Sequence, residues 1–341
     1  MKRVIERQEY WGWRFDIFKL GLSMLVVMIH THAMPTPLEP LLSIAVPCFF
    51  IISSYLFWHK ISDKKQLPGS TVKFVSRSLR LYLFWFIVLI VPTTFINRWF
   101  SGDVSVTSQL ILILRDFLFW ELFPASWFLM ALPLGMLIIS FLVNRMNANN
   151  FVLVIIALFA YFICWMDNFL WENTIIDSIL SNIKIVIPHL SNSFVIAIPY
   201  IVMGKILVEC NWERKHFSWL PFIIGLSFIF IFIERTFYNE IHYEGLYFST
   251  PLLSASIFVF ILQIKENEKK NLLLLRRTSV IIYCSHKTIA ILINTFLRHV
   301  EVRELYGIWL FIVTLLISVF FAILILFSTS KLKVKLLSYA Y

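Results

Sequence analysis

The chain predicts an all-α polytopic membrane protein of about ten transmembrane helices, with its N- and C-termini cytoplasmic. Three observations carry this. First, 59% of its residues are hydrophobic, 34 of them Phe, and mean hydropathy is +0.80, beyond the usual composition of soluble globular chains. Second, apolar runs long enough to span a hydrocarbon core of about 30 Å recur along the chain. They fall at 16–34, 41–58, 80–98, 126–143, 151–167, 193–209, 218–235, 247–264, 279–297 and 307–329. None shows the apolar–polar alternation of a barrel strand. Third, with these spans 22 of the 30 Lys and Arg fall on one side and six on the other. Basic residues are retained on the cytoplasmic side, so the net charge of +10 is a topology signal and gives no reason to expect nucleic acid as a partner.

Four cysteines, Cys48, Cys164, Cys210 and Cys284, stand singly. They form neither a disulfide framework nor a metal-ligand spacing, and no metal site is expected. The opening apolar segment contains charged residues and is followed by no small-residue cleavage motif, so it reads as a retained span and not a cleaved signal. With no internal repeat or linker, residues 1–341 read as one membrane domain.

Residues 1–14 are polar with Tyr10, Trp11 and Trp13, an interfacial lead-in. Span one, FDIFKLGLSMLVVMIHTHAM, carries Asp16 and Lys19 near one end and His30 and His32 near the other. Ionisable groups at the centre of a membrane helix cost about 2.5–3.5 kcal/mol each on insertion scales. Lys19 and His30 are eleven residues apart, three turns plus about 20°, and so share a face about 16 Å apart along the axis. Lys19 alone reads equally as a snorkelling anchor, and His30 alone as an interfacial histidine. Together they suggest two stations of one polar path. Span two holds VPCFFIISSYLFW, whose Ser53–Ser54 pair is read as helix packing. Before span three, Arg77 and Arg80 lie one turn apart and suit either an anionic ligand or ordinary positive-inside charge. The outer segment 99–125 holds Asp103, Arg115, Asp116, Trp120 and Glu121, with Trp127 just beyond it. Its aromatics suit a sugar platform, though tryptophans also belong to interfacial belts. Spans five to eight show packing patterns only. Span nine places Ser285-His286-Lys287 about 12 Å from its cytoplasmic edge, either lining a polar cavity or serving a structural hydrogen bond.

These motifs together resemble the acyltransferase 3 family of bacterial integral-membrane enzymes. The resemblance lies in Arg14-x-Asp16 followed by Lys19 and His30, VPxFFxxSxYLF from Val46, Phe74-x-x-Arg77-x-x-Arg80, Ser126-Trp127-Phe128 and Ile282-Tyr283-x-x-His286. Lys19 stands where the family usually has Arg, Ser53-Ser54 where it has Ser-Gly, Ser76 where it has the first Arg of its arginine motif, and Leu83 where it has Pro. A lysine keeps the charge but lacks the planar, bidentate fork.

The resemblance implies acyl transfer, usually of acetyl, from a cytoplasmic acyl-CoA to a hydroxyl of a cell-envelope or exopolysaccharide sugar, in the bacterial cytoplasmic membrane. His30 and Lys19 are then the catalytic candidates, with His30 acting as base or transient acyl carrier. Arg14, Asp16, Arg77, Arg80, Tyr283 and His286 are candidates for the donor site, and Trp120, Glu121 and Trp127 for the acceptor site. Acyl-CoA is a substrate here, with no bound cofactor expected. The expected partners are the lipid bilayer, a polymeric or lipid-linked sugar, and polysaccharide-synthesis machinery. The alternative, a transporter or flippase of a lipid-linked sugar or small solute, would favour paired halves and Gly- or Pro-broken helices. The chain has only 9 Gly and no half repeat.

Overall fold

The structure, a computed structural model, describes residues 12–97, 105–168, 175–215, 217–237, 246–265, 272–331 and 334–341. Tyr10, Trp11 and Asp103 lie outside these residues, as do the basic residues Lys2, Arg3, Arg7, Arg98, Lys269, Lys270 and Lys333. The described residues contain helices and connections and no strand. In chain order the helices are α1 (Trp13–Thr31), α2 (Ala45–His59), α3 (Leu67–Asn97), α4 (Val106–Phe119), α5 (Trp127–Arg145), α6 (Asn150–Met166), α7 (Ile175–Val186), α8 (Phe194–Glu209), α9 (Leu220–Phe237), α10 (Thr250–Gln263), α11 (Leu273–His299) and α12 (Gly307–Ser330).

Each of the ten apolar stretches is helical. Several ends are set by local chemistry. Asn149 Oδ1 accepts from Val152 N at 3.0 Å to start α6, and Ser193 Oγ accepts from Val195 N at 3.2 Å to start α8, each satisfying a donor left open in the first turn. At the other end of a helix, His32 takes φ +52° and stops α1, the left-handed cap geometry. Two ends differ from the hydropathy reading. α3 begins at Leu67 and α11 at Leu273, well before the apolar runs at 80 and 279, because polar helical turns carry no hydropathy signal. The segments 99–125 and 168–192, which lie between the expected spans, contain the short amphipathic helices α4 and α7.

Among the described residues six helical segments are long and apolar enough to cross a membrane: Leu38–His59, Lys64–Pro92, Trp127–Arg145, Leu220–Phe237, Leu273–His299 and Gly307–Ser330. The pair Ile175–Asn192 and Phe194–Glu209, bent by 45°, adds a seventh if it is one span. The chain is therefore a polytopic membrane protein. α6 and α10 are apolar but shorter, with 17 and 14 residues. α1 is set apart by charge: Arg14, Asp16 and Lys19 lie in its first two turns.

Two groups of helices frame the site. In one, α8 packs against α2, α5 and α6. Close approach depends on two glycines. A Cβ on Gly204 would stand 2.6 Å from Ser54 Cβ and 2.7 Å from Ile51 O, and one on Gly135 would stand 2.7 Å from Ile201 Cδ1. Across the first of these contacts Ser54 Oγ donates to Ile201 O at 2.6 Å, which is the packing role expected of the serine pair. In the other group α1, α11 and α12 pack against one another, and α2 joins the two groups through α1.

Candidate active site

The site is built along α1 and α11, which run side by side in the same sense. The charged first turns of α1 meet Arg276, and His30 near its other end meets His286. Arg276 and His286 are ten residues apart, about 15 Å at the helical rise.

At the first station Asp16 is 2% exposed. It accepts two bonds from one guanidinium, Arg276 Nε to Oδ1 at 2.7 Å and Nη2 to Oδ2 at 3.2 Å, the fork geometry that only Arg supplies. Arg14 donates to the carbonyls of Leu262 and Ile264 at 2.7 and 2.9 Å, closing the C-terminal end of α10, and reaches Glu213 Oε1 at 3.4 Å. Tyr55 of the VPxFFxxSxYLF motif donates to the other oxygen of Glu213 at 3.0 Å. Lys19 is half-buried beside this arrangement and, among the described residues, makes no hydrogen bond or ion pair. The charges that act on it are Arg276, Asp16, Arg77 and Lys60. Burial first, then Arg77 and Arg276, lowers the pKa of Lys60 from its ordinary 10.5. Apart from the Arg14–Glu213 pair, four cations (Lys19, Lys60, Arg77 and Arg276) thus gather near one carboxylate, Asp16, an arrangement suited to an anion. Arg80 lies at the rim, exposed, with its guanidinium on the Ser76 carbonyl and 5.7 Å from the Tyr339 ring.

At the second station the rings of His30 and His286 lie 5.2 Å apart, inclined by 32°. His286 is fully buried, and its Nδ1 lies 2.7 Å from Tyr283 O and 3.1 Å from Ile282 O. Carbonyl oxygens only accept, so Nδ1 carries the proton and the neutral ring keeps its lone pair on Nε2. That Nε2 is buried and has no partner among the described residues. An orphaned acceptor in the interior needs an account; its place beside His30 supplies one.

The segment between α4 and α5 folds down onto α11 at two points. Tyr283 Oη donates to Ala125 O at 3.3 Å, and Lys287 Nζ donates to Glu121 Oε1 and Oε2 at 3.2 and 3.1 Å. Ala125 takes φ +63°, a conformation costly for a residue with a Cβ. The neighbouring Ser126 Oγ holds the turn by accepting from Phe123 N at 3.1 Å. Trp127 then opens α5, its ring 6.1 Å from Phe50, while the Trp120 ring lies 5.2 Å from His189.

The structure thus brings Lys19, Asp16 and Arg77 together at one station and His30, His286 and Tyr283 at the other. Arg14 is committed to carbonyls and to Glu213, and Glu121 to Lys287. Trp120 and Trp127 pack against protein rings at the rim. Sequence reasoning did not assign Arg276, Glu213, Tyr55 or Lys287 to the site. Lys287 left a signal as a second ionisable residue beside His286 deep in a span, and Tyr55 as part of the VPxFFxxSxYLF motif. The described residues contain no group of three His, Cys, Asp or Glu placed to hold a metal ion.

An amino-acid racemase from Enterococcus faecalis is 20% identical over 327 residues. The match covers 85% of this chain but 42% of the racemase, so this chain spans less than half that protein's length. No solved structure matches significantly. The acyltransferase domain of the acyltransferase 3 family matches residues 13–327, a range that takes in both stations and the helices that hold them: the chain belongs to the acyltransferase 3 family.

Proposed function

We propose that the protein is a membrane O-acyltransferase of the bacterial cytoplasmic membrane. In this reading it moves an acyl group, usually acetyl, from acyl-CoA to a sugar hydroxyl of an envelope or secreted polysaccharide. All ten apolar helices cross in this reading, and the positive-inside rule puts the Asp16–Arg276 station at the cytoplasmic face. The observation that carries the proposal is the imidazole pair. His286 has its tautomer fixed and, among the described residues, leaves Nε2 unpartnered on a ring 5.2 Å from that of His30, which suits proton transfer.

Lys19, Lys60, Arg77 and Arg276 would hold the anionic end of the donor, and its long thioester arm would run along the α1–α11 seam towards His30. The acceptor hydroxyl gives its proton to His30 while its oxygen attacks the thioester carbonyl carbon. The carbonyl electron pair moves to oxygen. Collapse of the tetrahedral intermediate re-forms C=O and expels the CoA thiolate, which takes the proton from the His30 imidazolium. The products are a sugar ester and CoA thiol. A transient acyl-His30 would carry the same atoms in two steps. The racemase name belongs to a protein of which more than half lies outside the match; the family covering residues 13–327 guides the reading instead.

The test is protein in liposomes supplied with acyl-labelled CoA and polysaccharide acceptor. The proposal expects thiol release matched by label on the acceptor. A transporter would move solute with neither, and that result would overturn the proposal.

A further inference from the structure

The ion pair between Lys287 and Glu121 is not used by the steps above. Its two side chains are 27% and 18% exposed. A half-buried ion pair forgoes part of its hydration, and its mutual attraction often does no more than offset that loss. A purely stabilising role is therefore a weak reason for it. Its position suggests another. Lys287 follows His286 directly, and its charge acts on the imidazoles of both His30 and His286. The other charges acting on His30 come from His286 on the same helix and His32 beyond the end of α1. Arg276 of the first station lies ten residues, about 15 Å, from His286 along α11. An ammonium has three N–H donors. Both oxygens of Glu121 face the Lys287 nitrogen, at 3.1 and 3.2 Å, and a carboxylate held this way engages at most two of the three. One donor is left for another oxygen. Tyr283, one turn earlier on the same face of α11, is tied to Ala125 of the same segment, so that segment fixes the lysine's direction.

We propose that Lys287 is a catalytic residue of the acyl transfer: its free N–H stabilises the oxyanion that forms when the acceptor hydroxyl adds to the thioester carbonyl, and Glu121 aims it. The inference rests on the acyltransferase reading. No new bond to Lys287 forms. Negative charge accumulates on the former carbonyl oxygen beside the ammonium and returns to the C=O bond as the thiolate leaves.

The asymmetry of buried ion pairs gives the test. Removing one partner strands the other charge, whereas removing both relieves a purely structural defect. Transfer is therefore measured in liposomes for the wild type, K287R, K287M and the double variant K287M/E121Q, with kcat and donor KM separated. A lost oxyanion donor costs about 10²–10³ in kcat. The proposal expects that loss in K287M at unchanged donor KM, most of it recovered in K287R. The double variant should fold well and stay as slow as K287M. Recovery of the double variant to within about tenfold of wild type would reduce the pair to a structural tie and overturn the proposal, as would full activity in K287M. A wild type that transfers no acyl group would instead bring down the acyltransferase reading itself.

Discussion

The two ends of the α1–α11 seam solve opposite problems. At the Asp16 end positive charge is in excess: Lys19, Lys60, Arg77 and Arg276 gather near one buried carboxylate, and among the described residues Lys19 makes no hydrogen bond or ion pair. At the His30 end charge is balanced: Lys287 is matched by Glu121, and the working groups are two rings that can be neutral. In the proposed function the first arrangement receives an anion, and the second a proton. A membrane enzyme that takes a charged donor from one side and an uncharged hydroxyl from the other needs this asymmetry. Helix α1 has it within nineteen residues.

The comparison breaks most sharply at His30. His30→Ala should lower kcat by about 10²–10⁴, the usual worth of a positioned acid–base group, while donor binding, measured by equilibrium dialysis, stays intact. The next effect should fall on stability. Asp16→Ala leaves Arg276 without its buried partner, a change that costs about 3–5 kcal/mol. It should appear as a lower melting temperature in detergent. The D16N/R276Q double variant, which strands no charge, should recover much of it.

A smaller effect sharpens the picture of the scaffold. Gly204→Ala places a methyl 2.6 Å from Ser54 Cβ and 2.7 Å from a backbone oxygen. Overpacking of this kind costs about 1–3 kcal/mol, and S54G should return part of the lost melting temperature by opening the contact. The smallest effect is on the donor. Because burial and its arginine neighbours lower the pKa of Lys60, this cation is lost at a lower pH than an ordinary lysine. Donor KM should therefore rise as the medium becomes alkaline, and Lys60→Gln should flatten that rise.

Much of this asymmetry was legible in the sequence, because it lies on one helix. Lys19 and His30 share a face by spacing alone, and His286 stood out as an ionisable residue deep in a span. The helix positions were legible too, since apolar runs mark them. What periodicity cannot give is which helices become neighbours. Asp16 and Arg276 are 260 positions apart and Lys287 and Glu121 are 166 apart, so each side chain looks like an unrelated loop or span charge until the chain is folded. Arg14 shows the reverse case: its motif suggested a ligand, but its guanidinium closes the end of α10. The short helices α4 and α7 escape a hydropathy reading because an amphipathic helix of 12–14 residues has too little apolar length to register as a span.

The central claim is that the two imidazoles perform chemistry on a donor held at the opposite end of the same seam. Single-turnover release of CoA thiol from pre-bound acyl-CoA, started by adding acceptor, tests it most directly. The account predicts rapid acceptor-dependent release in the wild type, almost none in His30→Ala, and equal donor occupancy in both. Thiol release in His30→Ala at the wild-type rate would contradict it.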